Sequence, residues 1–284
     1  MSLFCRCALW LALVGSVQAS TWTTIDVPGA TETMANGINE LGQVVGIYYN
    51  LNGDNSWHGF LWNAGTLSAI DYPGAEQTLA FGINDAGKIV GTYWIGGLGH
   101  GFSFDGKTWT SIDYPGALET DARGLNNNGD LVGYYYDMGY HGFELSAGIF
   151  TKIEATGAVA TWPSGISNLG DVVGSFSLSN GNQYGFAFAN GRFARINFPG
   201  SHRVGACAVN SLRQIVGIAV MPSDQIEAFL LNNKQFIRIK FPASTTTSVF
   251  GINDNGDVVG SYLDSTHVGH GFLRTSGTTR GNLR

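Results

Sequence analysis

The chain has few charged residues, few cysteines and no long apolar run, and each shortage excludes a class of protein. Charged residues are only 13% of the 284 residues and the formal net charge is −6. This composition offers no basic surface for nucleic acid. No stretch approaches the ~20 consecutive apolar residues of a transmembrane helix, so we predict no membrane span. Glycine is abundant instead, at 41 residues, which argues against a helical bundle or a coiled coil.

The first residues have the pattern of a secretory signal peptide. Residues 1–6 carry one positive charge, residues 7–14 are apolar, and Val17-Gln18-Ala19 ends on a small residue. We predict that residues 1–19 are removed and that the protein is secreted, to the exterior or to the periplasm. A lipid-anchored alternative is disfavoured, because both early cysteines lie before or at the start of the apolar run. Removal leaves Cys207 alone, which excludes an internal disulfide and predicts a buried small apolar residue.

Three short motifs each occur six times at spacings of 41 to 45 residues. The first reads Gly-Ile-Asn followed by a turn and Val-Val-Gly, the second His-Gly-Phe, and the third Ile-Asp-x-Pro-Gly. The copies of the first motif begin at Gly37, Gly82, Gly124, Gly165, Ala208 and Gly251. The copies of the second begin at His58, His100, His141, Tyr184, Glu227 and His270, and those of the third at Ile25, Ile70, Ile112, Ile153, Ile196 and Ile239.

Each repeat has the residue pattern of four short strands. In the second repeat we predict strands over residues 78–84, 88–94, 101–105 and 108–114, separated by glycine-containing turns. A period of 40 to 45 residues with four strands is typical of a β-propeller blade. An open β-solenoid is the alternative, but its repeats are usually much shorter.

The two ends of the repeat region complete each other. The segment Thr21 to Gly29 supplies only a fourth-strand motif, and the last repeat stops after Arg274 without one. We therefore predict that residues 20–274 form an all-β, six-bladed β-propeller with four-stranded blades. In this prediction the N-terminal strand pairs with the last blade and closes the ring. Residues 275–284 are predicted to be a disordered tail.

The six repeats resemble the HAF-repeat family, a group of bacterial β-repeat proteins regarded as extracellular and named for a His-Ala-Phe triplet. Here the triplet mostly reads His-Gly-Phe. The resemblance spans Thr21 to Arg274 and implies a secreted β-repeat protein. It implies no reaction and supplies no catalytic residues.

The recurring histidines admit a metal-binding and a structural interpretation. His58, His100, His141 and His270 could bind iron or another transition metal if they converged on one axis. They begin the third strand of each blade, however, so we expect them to lie far apart and to have a structural role. We predict no metal site and no cofactor.

Two acidic patterns are interpreted structurally as well. The run Asn253 to Asp257 is similar to oxygen-ligand calcium loops, but most equivalent turns lack the carboxylates, which favours a plain hairpin turn. Asp26, Asp71 and Asp113 share one repeat position, which in the other repeats holds Glu154, Asn197 and Lys240. A position that tolerates charge reversal predicts exposed strand surface.

Functional residues are expected where the repeats differ from one another. The segments before the first strands should surround one mouth of the channel and place Glu32, Gln77, Glu119, Ala160, Arg203 and Thr246 at equivalent positions. Asp121, Arg123, Trp162 and His202 lie near them in the sequence. The loops between second and third strands should open on the same face with the aromatic residues Tyr48, Tyr49, Trp57, Trp94, Tyr135, Tyr136 and Tyr140. Polar groups among aromatic rings are typical of sugar binding. Ordinary surface variation is the competing interpretation.

Two classes of function follow. The favoured one is a secreted, non-catalytic binding or scaffold protein, expected to be a monomer, whose partner is a polysaccharide, a glycoconjugate or an extracellular protein. Its predicted ligand-binding residues are Gln77, Trp94, Arg123, Tyr135, Trp162 and Arg203. The alternative is an extracellular hydrolase or lyase acting on polysaccharide, although no known catalytic motif is present. Its candidate catalytic residues are Glu32, Glu119, Asp121 and His202.

Overall fold

A computed structural model describes residues 20–50 and 53–277, so the predicted signal peptide lies outside the described residues. The described chain folds into 24 β-strands and contains no helix. The strands are β1 Thr21–Ile25, β2 Glu32–Ile38, β3 Val44–Tyr49, β4 Trp57–Asn63, β5 Thr66–Ile70, β6 Gln77–Ile83, β7 Ile89–Ile95, β8 Leu98–Phe104, β9 Trp109–Ile112, β10 Glu119–Leu125, β11 Leu131–Tyr136, β12 Tyr140–Ser146, β13 Ile149–Ile153, β14 Ala158–Ile166, β15 Val172–Leu178, β16 Gln183–Ala189, β17 Arg192–Ile196, β18 Arg203–Val209, β19 Ile215–Val220, β20 Ile226–Asn232, β21 Gln235–Ile239, β22 Thr246–Ile252, β23 Val258–Leu263 and β24 Gly269–Thr275.

The strands pair antiparallel in groups of four. Five groups are consecutive in the chain, from β2-β3-β4-β5 to β18-β19-β20-β21. The remaining group is β22-β23-β24-β1, in which Thr21 lies opposite Thr275 and Ile25 opposite Gly271. We number the groups one to six by their first strands, β2, β6, β10, β14, β18 and β22. Single parallel pairs also join β2 to β24 and β16 to β18.

The last strand runs one residue beyond the predicted boundary at residue 274. Thr275 belongs to β24 because it pairs with Thr21, and the Ser276 amide donates to Asp257 Oδ1 at 2.8 Å. The predicted disordered tail is therefore corrected at its first residues. Its remainder, residues 278–284, lies outside the described part.

The second group shows how the sequence sets the strands. The bounds of β6, β7 and β9 match the prediction within two residues, whereas β8 begins at Leu98 rather than at residue 101. Gly96 and Gly97 both adopt positive φ, 61° and 77°, and Ile95 lies opposite Leu98. Two glycines with positive φ form the tight hairpin turn that joins β7 to β8 without a longer loop.

A glycine of the second strand faces a phenylalanine of the third strand in every group. The six phenylalanines are at most 1% exposed. A Cβ on Gly91 would lie 1.9 Å from the Leu79 carbonyl oxygen and 2.7 Å from the Phe102 ring. The repeated Val-Val-Gly and His-Gly-Phe motifs therefore form one cross-strand contact. The pairs are Gly46–Phe60, Gly91–Phe102, Gly133–Phe143, Gly174–Phe186, Gly217–Phe229 and Gly260–Phe272.

The core lies between neighbouring groups, which pack face to face. Val45 of the first group contacts a cluster that includes Ala80 and Phe102 of the second group. Ile25 and Val259 of the last group share a cluster with Val44 of the first group. Each sheet thus buries its two faces against the sheets on either side.

Asparagine side chains connect the ends of the first strands. Asn39 Nδ2 donates to the Asn84 carbonyl at 3.0 Å, and Asn253 Nδ2 of the last group donates to the Asn39 carbonyl at 3.0 Å. Equivalent bonds join Asn84 to Asn126, Asn126 to Ser167 and Asn210 to Asn253. The asparagine of the Gly-Ile-Asn motif is therefore a contact between groups.

Candidate binding face

One end of the molecule combines the two kinds of variable loop. The segments that lead into the first strands, such as residues 26–31, and the loops between second and third strands, such as residues 137–139, meet at the end where the first strands begin. We call this end the loop face. The short turns after the first strands, such as residues 39–43, lie at the opposite end.

The first strands line a narrow central cavity. Each contributes three residues, from Asn36, Gly37 and Ile38 in β2 to the equivalent three in β22, and the volume is about 80 Å³. The strands approach closely, since a Cβ on Gly37 would lie 2.6 Å from the Phe81 carbonyl oxygen. Such a cavity has room for a few water molecules. A larger ligand must bind outside it.

Asp121 and Arg123 lie below the mouth rather than on it, which corrects their predicted placement. A β-bulge between Ala122 and Gly124 leaves Arg123 unpaired in the ladder and directs it into the cavity. Arg123 Nη2 lies 3.2 Å from Asp121 Oδ1, and Asp121 is 9% exposed. The two predicted ligand-facing charges therefore neutralise each other.

The Arg123 guanidinium is held by aromatic groups as well. It lies 3.9 Å from the centroid of the Phe81 ring and also donates to the Tyr134 hydroxyl. Burial raises the pKa of Tyr134 to about 12, so this hydroxyl stays protonated at neutral pH. Asp121 Oδ1 accepts a further hydrogen bond from Thr92 Oγ1 at 2.9 Å. Asp121 Oδ1 is therefore bound on two sides within the protein.

Tyr135 cannot contact a ligand, which corrects its predicted role. It is 1% exposed and stacks on Tyr114 with centroids 3.7 Å apart. The loop was predicted to begin before it, but β11 runs through Tyr136. Because side chains alternate along a strand, Tyr135 points between the sheets while Tyr136 points to the other face.

Three consecutive groups place an acid or amide beside aromatic rings at the loop face. Glu32 lies opposite Tyr49, which lies opposite Trp57 with ring centroids 5.1 Å apart. Directly opposite residues on antiparallel strands share a face of the sheet. The same arrangement recurs for Gln77 with Trp94, and for Glu119 with Tyr136 and Tyr140. We call these residues the aromatic rim: Glu32, Tyr49, Trp57, Gln77, Trp94, Glu119, Tyr136 and Tyr140.

The other three groups lack this arrangement. Their equivalent pairs are Ala160 with Ser177, Arg203 with Val220 and Thr246 with Leu263. In one half of the loop face an acid or amide therefore lies opposite an aromatic ring, and in the described part of the other half the equivalent pairs contain no aromatic ring.

The remaining predicted residues lie on or near this rim. Trp162 is in β14, with its ring centroid 5.8 Å from that of Tyr140, and it extends the aromatic half. Arg203 is exposed at the start of β18. The His202 amide donates to the Val220 carbonyl at 3.0 Å, and its buried Nδ1 has no hydrogen-bond partner among the described residues. Burial raises the pKa of Glu32 above its ordinary value.

The recurring histidines pair with the acidic repeat position, a contact that the sequence interpretation missed. His58 Nδ1 lies 3.0 Å from Asp71 Oδ1, and His270 Nδ1 lies 2.9 Å from Asp26 Oδ1. His100 with Asp113 and His141 with Glu154 repeat the contact at 2.9 and 2.6 Å. These carboxylates are partly exposed, as predicted, but they bridge the third strand to the segment after the fourth.

Several of these histidines contact a second carboxylate from the loop between second and third strands. His58 Nε2 lies 2.9 Å from Asp54, and His141 Nε2 lies 3.2 Å from Asp137. Burial alone would lower the pKa of His58, but the hydrogen bonds to Asp54 and Asp71 raise it above its ordinary value. Within the described ranges, no group of three or more His, Cys, Asp or Glu side chains is placed to hold a metal ion.

Comparison with known proteins identifies the architecture only. No protein-family model matches the chain, and no curated protein matches it. Among solved structures, TolB from Acinetobacter baumannii is similar with a TM-score of 0.60 and 12% identity, over 82% of this chain and 63% of that one. This chain therefore covers less than two thirds of TolB.

Two fungal proteins match over most of their length. AofleA from Arthrobotrys oligospora has a TM-score of 0.56 and 14% identity, over 92% of this chain and 88% of that chain. The Aleuria aurantia lectin, in complex with Fucalpha1-6GlcNAc, has a TM-score of 0.56 and 13% identity, over 88% and 98%.

The fold is a β-propeller. TolB and the Aleuria lectin are β-propellers, and the four-stranded sheets of this chain superpose on theirs. At these identities the likeness shows the fold alone, and the propeller's ligand must be inferred from its own residues. In the described residues, no helix is long and apolar enough to cross a membrane.

Proposed function

We propose that this propeller is a secreted, non-catalytic protein that binds carbohydrate at its loop face. The observation that carries the proposal is the aromatic rim, in which three consecutive groups each set an acid or amide beside an aromatic ring. Aromatic rings stack on the apolar faces of sugar rings, and Glu32, Gln77 and Glu119 can accept or donate hydrogen bonds to hydroxyls. Lectins among the structural neighbours add support from fold analogy.

We further propose that the six groups are blades of one closed ring. Two contacts support closure between the last group and the first segment. Each of His58, His100 and His141 pairs with an acid 13 residues later, whereas His270 pairs with Asp26 from the start of the chain. The hydrogen bond from Asn253 Nδ2 to the Asn39 carbonyl joins the end of β22, the first strand of the sixth group, to the end of β2, the first strand of the first group.

Secretion and membership in the HAF-repeat family belong to the same proposal. The signal-peptide pattern of residues 1–19 and the sixfold His-Gly-Phe motif support them. The proposed protein acts outside the cytoplasm as a monomer. Mass spectrometry of the exported chain tests the removal of the signal peptide, and Ser20 is the expected N-terminal residue.

The binding proposal is tested with residues 20–284 on an array of neutral and acidic glycans. Wild type should retain at least one glycan, and Tyr49→Ala, Trp94→Ala and Tyr136→Ala should each weaken retention about two- to tenfold, because each removes a stacking surface worth about 0.5–1.5 kcal/mol. Val220→Ala and Leu263→Ala are matched controls at the equivalent positions of other groups, and retention should be unchanged. Equal loss in controls and rim variants would refute the rim as the binding surface.

The same samples test for the hydrolase or lyase alternative. Glycoside hydrolysis needs two carboxyl groups about 5 Å or 6.5–9.5 Å apart. Asp121 is engaged by Arg123 and Thr92, so Glu32 and Glu119 are the candidates with free carboxylates. New reducing or unsaturated ends in the retained glycan, lost in Glu32→Gln or Glu119→Gln, would overturn the non-catalytic proposal. Retention of an extracellular protein but of no glycan would overturn the carbohydrate assignment.

A further inference from the structure

Two pockets occur at equivalent places on the loop face, outside the central cavity. The first lies between groups one and two, and its lining includes Asp54, His58, Asp71, Pro73 and Ala75. Its volume is about 280 Å³, which is near the small end of the range for ligand pockets.

The second pocket lies between groups three and four. It is lined by His141 and Glu154, which correspond to His58 and Asp71, and by Ala158 and Val159, and its volume is also about 280 Å³. Tyr140 of the aromatic rim lines it as well, and Gln77 of the rim lines the first pocket. Both pockets therefore adjoin the rim and are open clefts in the loop face.

The two pockets share one chemical character. Each has a carboxylate held in place by a histidine, at 3.0 Å for Asp71 and 2.6 Å for Glu154. Apolar side chains also line each pocket, Pro73 and Ala75 in the first and Ala158 and Val159 in the second. A fixed carboxylate accepts hydrogen bonds from two neighbouring hydroxyls, and apolar side chains contact the C–H face of a sugar ring.

We propose that each pocket binds one ring of a neutral saccharide, so that one molecule holds two sugar residues. This inference rests on the proposed carbohydrate-binding function and names its sites and ligand class. Acidic sugars are excluded from the first pocket, because it is lined by three carboxylates, Asp54, Asp71 and Glu76, and by a single histidine. Two sites in one rigid molecule raise the avidity for a branched or repetitive glycan beyond the affinity of either site.

Calorimetric titration of residues 20–284 tests the inference. The probes are glucose, galactose, mannose, fucose and N-acetylglucosamine, with glucuronate as the acidic comparison. We expect at least one neutral sugar to bind with two sites per chain and glucuronate to give no heat. Asp71→Asn and Glu154→Gln should each reduce the count to one site, and the double variant should show at least tenfold weaker binding at both. These side chains are half-exposed, so the variants should keep the wild-type melting temperature.

Asp224→Asn is the matched control, because Asp224 is an exposed carboxylate on a loop-face turn that lines neither pocket. It should keep two sites. Two unchanged sites in the double variant, or binding of glucuronate alone, would overturn the inference. If the double variant retains glycans on the array as well as wild type does, the pockets are not the binding sites, while the proposed function stands. If wild type neither retains a glycan on the array nor gives heat in the titration, the proposed function and the pocket inference are both wrong.

Discussion

The first strand offers a quantitative test of how the propeller is held together. Ile25 in β1 and Ile112 in β9 occupy the same repeat position, in the fourth strands of two different groups, and are 1% and 8% exposed. The difference is that β9 follows its partner strand directly, whereas β1 pairs with a strand from the far end of the chain. If β1 is bound to β24 as strongly as β9 is bound to β8, Ile25→Ala and Ile112→Ala should lower the free energy of unfolding by the same amount.

Removing a buried isoleucine side chain to alanine costs about 2–5 kcal/mol in free energy of unfolding. A change of 1 kcal/mol moves the melting temperature by roughly 2–4 °C in a protein of 150–250 residues. Each variant should therefore melt about 4 to 20 °C below wild type.

The assay is urea unfolding of residues 20–284 followed by both far-ultraviolet circular dichroism and tryptophan fluorescence, which must coincide for a two-state free energy. The two variants should differ by less than about 1 kcal/mol, within the site-to-site spread at fixed chemistry. A loss below about 0.5 kcal/mol for Ile25→Ala, beside a full loss for Ile112→Ala, would refute the reasoning. It would mean that β1 frays from β24 before the rest unfolds.

Three further outcomes are expected. Burial raises the pKa of Glu40, opposed in part by the hydrogen bond from the Asp254 amide, so Glu40→Gln should raise the urea midpoint at pH 7 and lose that gain as the pH falls below the ordinary glutamate pKa of about 4.3. A gain that persists at pH 3 would contradict the electrostatic cause. Gly91→Ala should cost roughly 1–3 kcal/mol because of the contact with the Leu79 carbonyl, and an unchanged urea midpoint would contradict it. Burial raises the pKa of the Cys207 thiol to about 12, so iodoacetamide at pH 8 should alkylate the folded chain on the order of a thousandfold more slowly than the unfolded chain; equal rates would show that the thiol is accessible.

The strands were predictable because the same residue pattern recurs in all six repeats. Glycine turns fix where strands end, and the Val-Val-Gly and His-Gly-Phe motifs mark two neighbouring strands whose register brings Gly91 opposite Phe102. The pairing of β1 with β24 was predictable for the same reason, since each repeat's fourth strand is needed to cover the third.

The site was less predictable, because side-chain direction depends on bulges and on register. Arg123 is directed into the cavity by a bulge that no residue type announces, and Tyr135 is buried because β11 extends two residues further than expected, through Tyr136. The histidine–carboxylate pairs could have been found from the sequence. His58 and Asp71 are 13 residues apart, and in the repeats where the histidine is replaced the acid is replaced too, as in Tyr184 with Asn197.

The pairing of β1 with β24 also sets the order of folding events. The hydrogen-bonded residues Thr21 and Thr275 are 254 residues apart in the chain. During synthesis the last sheet cannot gain its outer strand until nearly the whole chain has emerged, so the earliest strand waits longest for its partner. Joining ends so distant carries a large loop-closure entropy, and non-local pairing of this kind slows folding. A chain that completes its last sheet so late leaves β1 without its partner strand for longer than any other strand.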